Sequence, residues 1–268
     1  MNKISFTKMV ASGNDFVVVR AGKRKPETGS PNNLARIVCD RKYGVGADGL
    51  LVLGKSGIAD IKMRVFNADG SEAEMCGNGA RCVALFIGRR CKKVETRAGI
   101  IETKVNKDKI KIKLTEPKKL KLNMPLTING RLLKVNFINS GVPHTVIFAE
   151  GLEKIDIASL GRQIRFHQKF APAGTNVNFV EVLDDNSLKV RTYERGVEDE
   201  TLACGTGAVA SALIFAVRYS LPAGLRVNVV TKSGETLRVY FEKSGNNFKN
   251  VWLEGKAKIV FRGELREE

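Results

Sequence analysis

The chain has few of the residues that mark several common protein classes. Histidine occurs only twice and tryptophan once among 268 residues, and no histidine accompanies Cys76 and Cys82, so we expect no metal site there. The longest apolar run, residues 209–217, is far shorter than the roughly 20 residues of a membrane-spanning helix. The N-terminus lacks an uninterrupted apolar stretch, which predicts that the chain carries no secretory signal.

Acidic residues are too few to balance the basic ones. The chain has 28 Asp and Glu against 45 Lys and Arg, a net charge of +17, which leaves a basic nucleic-acid-binding protein as an alternative. However, the most basic stretch, residues 104–121, alternates Lys with Ile, Val and Leu, a pattern typical of a strand with one solvated face. No stacking aromatic residues are interleaved there, so we expect neither a nucleic-acid nor a membrane partner.

Five cysteines make an odd count in a chain without an export signal. This favours reduced thiols and a cytoplasmic protein over a disulfide framework. Two of the cysteines have a distinctive context, and for the other three we predict structural roles (Cys39, Cys82 and Cys91).

Those two cysteines begin the same motif, in which acidic residues precede Cys-Gly-x-Gly-Ala and an apolar run follows. Cys76 and Cys204 are 128 residues apart. Other positions share this offset: Ser12-Gly13 with Ser140-Gly141, Gly46 with Gly174, Val52 with Val180, and Glu72 with Glu200. Thr96 and Thr231 differ by 135, which indicates a short insertion. The chain therefore reads as two copies of one unit.

Each copy is predicted to consist of strands, a buried helix and further strands. This order favours an α+β fold of two pseudo-symmetric halves, each a mostly antiparallel or mixed, barrel-like β-sheet wrapped around a buried central helix. We assign residues 1–118 to the N-terminal half, with a last strand at 257–268 returning to it, and residues 119–256 to the C-terminal half.

A cysteine at the entrance of a buried helix has a chemical use. The free N–H groups and the positive end of the helix favour a thiolate and also bind anions. One thiolate could remove the proton of an acidic C–H, and the other thiol could return a proton to the opposite face, which inverts the carbon. Two similar cysteines would supply an acid and a base of similar pKa. The N–H groups after each cysteine would hold a carboxylate (Gly77 and Asn78; Gly205 and Thr206).

Other residues are candidates for lining such a site. His144 follows a proline at the position matched by the repeat. Glu194 and Arg195 come just before the second cysteine loop and suit a remote ammonium and carboxylate. The glycine-rich segment 44–49 lacks the lysine of a phosphate loop and the helix of a dinucleotide fingerprint.

Several segments together resemble the diaminopimelate epimerases. These are residues 74–82 and 193–207, which carry the two cysteine signatures, with Ser12-Gly13-Asn14-Asp15-Phe16, Phe66-Asn67-Ala68-Asp69-Gly70 and Pro143-His144. The Cys-Gly-His motif of the related proline racemases is absent. The resemblance covers essentially the whole chain. It implies a homodimeric isomerase that interconverts LL- and meso-2,6-diaminopimelate without cofactor or metal, in lysine and peptidoglycan precursor biosynthesis.

The resemblance also implies roles for individual residues. Cys76 and Cys204 would be the acid–base pair. Further positions would bind the distal end of the substrate (Asn14, Asn67, Asn176, Glu194 and Arg195) or the reacting carboxylate (Gly77, Asn78, Gly205 and Thr206).

The sequence departs from the family pattern at two positions. Val142 stands where many members have Asn, and Gly49 stands where some have Gln. Each change removes a polar group, which leaves open a racemase of the same mechanism that acts on other amino acids, such as lysine.

Overall fold

The computed structural model describes residues 3–21, 30–222 and 224–266. Its helices within these ranges are α1 (Pro31–Cys39), α2 (Gly77–Ile87), α3 (Ile157–Arg165) and α4 (Gly205–Arg218). The strands before α3 are β1 (Lys3–Ala11), β2 (Asn14–Arg20), β3 (Gly49–Gly54), β4 (Ile61–Asn67), β5 (Glu72–Ala73), β6 (Lys93–Thr96), β7 (Gly99–Asn106), β8 (Lys109–Lys113), β9 (Lys118–Ile128), β10 (Arg131–Asn139) and β11 (Pro143–Phe148). The later strands are β12 (Asn176–Asp184), β13 (Ser187–Glu194), β14 (Asp199–Thr201), β15 (Val227–Val230), β16 (Thr236–Ser244), β17 (Asn247–Lys256) and β18 (Lys258–Arg266).

The chain divides into two compact units. The first unit runs to Ile112 and resumes at Gly255, and the second is Lys113–Glu254. In the first unit the strands follow the order β18-β1-β2-β3-β4-β6-β7-β8, with β5 beside β4. Two of these pairings, β2–β3 and β4–β6, are parallel and the others are antiparallel.

The second unit has the same topology. Its order is β9-β10-β11-β12-β13-β15-β16-β17, with β14 beside β13. The parallel pairings, β11–β12 and β13–β15, fall at the same two places. This confirms the duplication that the sequence predicts.

Strand register corrects one part of the repeat. Phe66 pairs with Leu50 and Glu72 in the first unit, and Tyr193 pairs with Val177 and Glu200 in the second. These pairings make Leu50 equivalent to Val177, an offset of 127. The offset of 128 residues between the two copies is therefore wrong across β3 and β4, where it is 127. The residue of the second copy that is equivalent to Val52 is Phe179 rather than Val180.

Each unit wraps its sheet around one apolar helix. Helix α4 contacts β10, β11, β12, β13, β15 and β16, and every residue from Gly207 to Ala216 is buried. Helix α2 contacts β1, β2, β4, β6, β7 and β18. The other two helices pack on the opposite side of each sheet, α1 against β3 and β4, and α3 against β12, β13 and β14. A helix surrounded by strands has no solvated face, which explains why Ser211 is the one polar side chain between Gly207 and Ala216, and its hydroxyl donates to Gly207 O within the helix.

The lysine-rich segment forms strands, as the alternation predicts. In β8, Ile110 and Ile112 are buried, while the intervening lysines lie at or near the surface. These charges therefore belong to the solvated face of a sheet. None of the helices in the described ranges has the length and apolar character needed to cross a membrane.

We expect Gly161→Ala to destabilise the second unit. A β-carbon at Gly161 would lie 2.5 Å from Cβ of Tyr193, so α3 would have to move away from β13. Alanine favours a helix over glycine by about 1 kcal/mol, but overpacking of this kind costs about 1–3 kcal/mol. The urea unfolding midpoint should therefore fall.

The matched control is Gly54→Ala, since a β-carbon there meets no atom within 4 Å. We expect its midpoint to stay the same or to rise by the equivalent of about 0.4–1 kcal/mol. A midpoint for Gly161→Ala that rises by the full gain in helix propensity, about 1 kcal/mol, would contradict the packing of α3 on β13.

Candidate active site

Cys76 occupies the N-cap position of α2. Its Sγ accepts a hydrogen bond from the backbone N–H of Gly79 at 3.4 Å. The sulfur therefore acts as the capping acceptor of this helix. The N–H groups of Gly77 and Asn78 precede the first helical hydrogen bond, which runs from Ala80 N–H to Cys76 O. Because such N–H groups have no acceptor within the helix, they can bind an anion beside the sulfur.

Asn14, which the family resemblance assigns to the distal end of the substrate, lies beside this thiol. Its Oδ1 is 3.9 Å from Cys76 Sγ and accepts a hydrogen bond from Asn78 Nδ2 at 3.4 Å. The turn between β1 and β2 therefore brings Asn14 to the start of α2. We call Asn14, Cys76, Gly77 and Asn78 the Cys76 centre.

Two further residues that the sequence analysis missed orient these amides. Asp48 accepts from Asn14 Nδ2 at 2.8 Å, which turns Asn14 Oδ1 towards the thiol. Arg81, which is fully buried, donates to Asn78 Oδ1 at 2.6 Å and to Ser12 Oγ at 2.8 Å. Asp48 is 34 residues from Asn14, so only the fold reveals that pair, whereas Arg81 and Asn78 are three residues apart on α2, a spacing that the helix pattern could have indicated.

Asp48 belongs to a charged cluster behind Asn14. Arg41 pairs with Asp48 at 2.8 Å and with Asp15 at 3.0 Å, and Lys8 pairs with Asp15 at 2.7 Å. Burial alone would raise the pKa of Asp15, but hydrogen bonds from Lys8 and Arg41 outweigh it and lower the pKa to about 2. Asp15 therefore stays ionised at neutral pH.

Asn67 is exposed at the end of β4. Its Nδ2 donates to Ser71 Oγ at 2.9 Å, and its backbone N–H donates to Ser71 O at 2.9 Å. This side chain closes the turn that leads to β5 and Cys76.

Cys204 occupies the N-cap position of α4 and is only 8% exposed. Thr206 Oγ1 is 3.5 Å from its Sγ, and Ser140 Oγ donates to Thr206 O at 2.9 Å. Burial, followed by the negative charge of Glu194, raises the pKa of the Cys204 thiol to about 12, against the opposing effect of Thr206. This thiol therefore keeps its proton at neutral pH.

Glu194 ends β13 and faces the same helix entrance. Thr201 Oγ1 donates to Glu194 Oε2 at 2.8 Å. Burial raises the pKa of Glu194, and the hydrogen bond from Thr201 opposes that shift. The backbone N–H groups of Thr206 and Gly207 also act to lower the pKa of Cys204, so the two cysteines differ chiefly in burial and in the presence of Glu194 beside Cys204. We call His144, Glu194, Cys204, Gly205 and Thr206 the Cys204 centre.

Asn176 connects two segments of this centre. Its Nδ2 donates to Pro143 O at 3.0 Å, and its Oδ1 accepts from the backbone N–H of Arg195 at 2.9 Å. The amide thus fixes the backbone on either side of the site. The guanidinium of Arg195 donates to Ala173 O at 3.4 Å.

His144 is fully buried on β11. Its Nδ1 is 3.0 Å from Asn178 Nδ2, and its Nε2 has no hydrogen-bond partner among the described residues. Burial, followed by the charge of Arg195, lowers the pKa of His144 to about 3. The ring is therefore neutral at physiological pH.

The two departures from the family pattern lie in these segments. A β-carbon at Gly49 would meet Phe66 O at 2.8 Å, so the backbone leaves no room for a longer residue without a shift. Val142 stabilises its turn through its backbone, because its carbonyl oxygen accepts a hydrogen bond from Ser140 N–H at 3.2 Å. Within the described residues, no cluster of three or more His, Cys, Asp or Glu side chains could hold a metal ion.

Comparison with known structures identifies the fold. A phenazine biosynthesis protein of the PhzF family from Bacillus anthracis superimposes with a TM-score of 0.74 and 19% identity, and both chains are covered completely. A probable proline racemase from Agrobacterium radiobacter has a TM-score of 0.74 and 14% identity over 99% of this chain and 93% of that one. At these identities the likeness establishes the fold alone.

Comparison of sequences identifies the family. The family model described as diaminopimelate epimerase matches residues 6–120 and 136–260. The diaminopimelate epimerase of Aquifex aeolicus is 44% identical over 281 residues, covering 99% of each chain. That of Methanothrix thermoacetophila is 42% identical over 287 residues, covering 100% of this chain and 98% of the relative. The chain belongs to the diaminopimelate epimerase family.

Proposed function

We propose that this protein interconverts LL- and meso-2,6-diaminopimelate by moving the α-proton between two thiols, those of Cys76 and Cys204. The relatives and the family model are named for this reaction, which fits a role in lysine and peptidoglycan precursor biosynthesis. The chain is an isomerase that acts without pyridoxal phosphate. The assignment of the two thiols is our own inference.

The repetition of one device carries the assignment. Cys76 and Cys204 are N-caps of equivalent helices in two units of identical topology. Each is followed by two residues whose N–H groups precede the first helical hydrogen bond. A single cysteine of this kind could be structural, but two such positions supply one base and one acid for the same carbon.

The reaction balances with these groups alone. One thiolate takes the α-proton, and the electron pair left on the carbon is shared with the adjacent carboxylate. The N–H groups at the helix entrances stabilise that charge. The other thiol then gives its proton to the opposite face and becomes the thiolate, so the two cysteines exchange protonation states in each turnover.

The surroundings of the cysteines suggest their resting states. Burial and Glu194 keep the proton on Cys204, whereas Cys76 has the helix N–H of Gly79 on its sulfur. We therefore assign Cys76 as the base of the substrate-free enzyme and Cys204 as the acid. Substrates whose proton faces Cys76 would react directly with this form.

The charged residues near Cys204 suit the distal amino-acid end of the substrate. Glu194 offers a carboxylate to an ammonium group, and Arg195 offers a guanidinium to a carboxylate. Asn176 holds the backbone of Arg195 and of Pro143, so it orients these groups. The family resemblance assigns Asn14 and Asn67 to the binding of the same end of the substrate.

A homodimer and a cytoplasmic location complete the proposal. The family resemblance supports the dimer. All five cysteines are free thiols in the structure, which suits a reducing compartment.

Replacing either cysteine should abolish epimerisation. With Cys76→Ser or Cys204→Ser, we expect the rate to fall by at least about 10²- to 10⁴-fold, the usual contribution of a positioned acid or base. The measurement is proton NMR of LL-diaminopimelate in heavy water with reduced protein, which follows loss of the α-proton signal and formation of the meso isomer. Cys91→Ala is the matched control, because Cys91 is a buried thiol outside both centres. Normal epimerisation by either serine variant would refute the two-thiol mechanism.

The substrate should be recognised at both ends. Because Glu194 and Arg195 suit a second amino-acid group, we expect no detectable α-proton exchange with L-lysine, which lacks the distal carboxylate. The same NMR assay with L-lysine, alone and as a competitor of LL-diaminopimelate, measures this. Exchange of both substrates at similar rates would instead identify a broader amino-acid racemase.

The Cys204 thiol should react slowly with alkylating agents. A thiol with a pKa of about 12 is roughly 0.01% thiolate at pH 8, so iodoacetamide should modify Cys204 at least about 100-fold more slowly than an exposed thiol. The rate should rise about tenfold per pH unit as the pH approaches 12. Mass spectrometry of timed samples gives the rate at Cys204 itself.

Glu194→Gln tests whether the charge of Glu194 contributes to the raised pKa of Cys204. Removing the carboxylate should lower the pKa of Cys204 and speed its alkylation, whereas urea-unfolded protein should react at the ordinary rate. If native Cys204 reacts as an exposed thiol does at pH 8, the resting assignment is wrong.

A further inference from the structure

At three equivalent core positions, the first unit has apolar side chains and the second unit has polar ones. Leu51 pairs with Val65 across β3 and β4, and Asn178 pairs with Thr192 across β12 and β13. Phe16 lies beside Gly49 on the next strand, as His144 lies beside Asn176. The trio Phe16, Leu51 and Val65 in the first unit is thus replaced by His144, Asn178 and Thr192 in the second.

The glycines after the cysteines confirm this equivalence. A β-carbon at Gly79 would lie 3.0 Å from Leu51 Cδ2, and one at Gly207 would lie 2.2 Å from Asn178 Oδ1. Both glycines stand three residues after the cysteine of their unit. Asn178, which bonds to both other members of the polar trio, therefore packs against the first turn of α4 at Gly207.

The fold itself does not require these polar groups. All three side chains are buried, and burying polar groups costs stability unless every one is hydrogen-bonded. The first unit builds the same topology with an apolar trio. The stability of the fold therefore does not account for the polar trio.

The hydrogen bonds fix the orientation of the Asn178 amide. Its Nδ2 donates to Thr145 O at 3.2 Å, and a carbonyl oxygen can only accept. Its Oδ1 accepts from Thr192 Oγ1 at 3.0 Å. A flipped amide would set its oxygen against Thr145 O, which are two acceptors, so the bond to Thr145 fixes the orientation.

This orientation in turn fixes the tautomer of His144. The second hydrogen of Asn178 Nδ2 points at His144 Nδ1, 3.0 Å away, so Nδ1 must be the acceptor. A neutral imidazole has one protonated nitrogen, and the proton therefore lies on Nε2. That N–H is the group that lacks a partner among the described residues.

We propose that Asn178 and Thr192 are positioning residues that hold His144 as the neutral, Nε2-protonated tautomer, and that this N–H donates a hydrogen bond to a carboxylate oxygen of the bound substrate. The lone pair on Nδ1 is occupied, so the ring cannot act as a base. The positive charge of Arg195, which lies within electrostatic range of the ring, favours an anionic acceptor there. The inference rests on the proposed function for the identity of the substrate.

The chain has only two histidines, so ¹⁵N NMR of histidine-labelled protein can test the tautomer directly. His144 should show a protonated Nε2 and an unprotonated Nδ1, unchanged between pH 5 and pH 9. Saturating LL-diaminopimelate should shift the Nε2 resonance of His144 and leave His167 unaffected. His144→Phe, which introduces the residue of the first unit, assigns the signal.

Substitutions then test the positioning role. Thr192→Val and Asn178→Leu introduce the first unit's residues, and we expect kcat/KM to fall about 10- to 100-fold, the effect of one hydrogen bond to a charged group. Thr192→Ser keeps the hydroxyl and should restore most of the activity. Asn178→Asp places a hydrogen-bond acceptor opposite Nδ1 of His144. It should move the imidazole proton from Nε2 to Nδ1, or protonate both nitrogens. Thr103→Val, a buried threonine of the first unit bound to Cys91 O, controls for the loss of a buried hydroxyl.

The outcomes separate the claims. A wild-type His144 that is protonated on Nδ1, or that titrates between pH 6 and 7, overturns the tautomer lock. If the wild type exchanges the α-proton but substrate does not shift the His144 resonance, the donor role is overturned. Full kcat/KM in a folded Thr192→Val variant overturns it as well. Absence of exchange by the wild type overturns the proposed function and the substrate named here, whereas the tautomer measurement needs no substrate and is unaffected.

Discussion

The structure depends on a helix N-terminus enclosed by a sheet and capped by a cysteine. Enclosure removes water from the helix, so its first N–H groups keep their full electrostatic effect, and a thiol or carboxylate is the natural partner for them. Gly77 and Gly205 follow the cysteines directly, and a β-carbon at either would approach a core side chain closely. In each unit the sheet buries this helix. The loops that lead into the helix carry the remaining polar groups of each centre.

Duplication supplied two such helices, and divergence gave them different surroundings. One thiol is bound by a helix N–H and faces amides that a charged cluster holds in place. The other is almost fully buried beside a carboxyl group whose own pKa is raised. The proton transfer that we propose between the two thiols needs one of them to hold the proton at the start. Unequal surroundings achieve this with chemically identical side chains.

A second layer of residues makes each centre rigid. Asp48 and Arg81 set the amides of Asn14 and Asn78, and Thr201 binds Glu194. In the second unit, the buried trio around Asn178 occupies space that the first unit fills with apolar side chains. Because the two units share one topology, each serves as a reference for the other. The shared topology is built with an apolar trio in one unit and a polar trio in the other, so the topology alone does not call for the polar groups.

The sequence by itself determined the duplication, the α+β class, the cysteines at the helix entrances and the family. Those features are local patterns: Cys-Gly-x-Gly-Ala before an apolar run, and alternation along β8. Only the tertiary structure decided which residues face one another. It placed a one-residue shift between β3 and β12, which sequence offsets concealed because strand register is set by pairing across the sheet. It also joined Asn14 to Asp48 and His144 to Asn178, and it distinguished Cys204 from Cys76, because burial and neighbouring charge arise only when distant segments pack together.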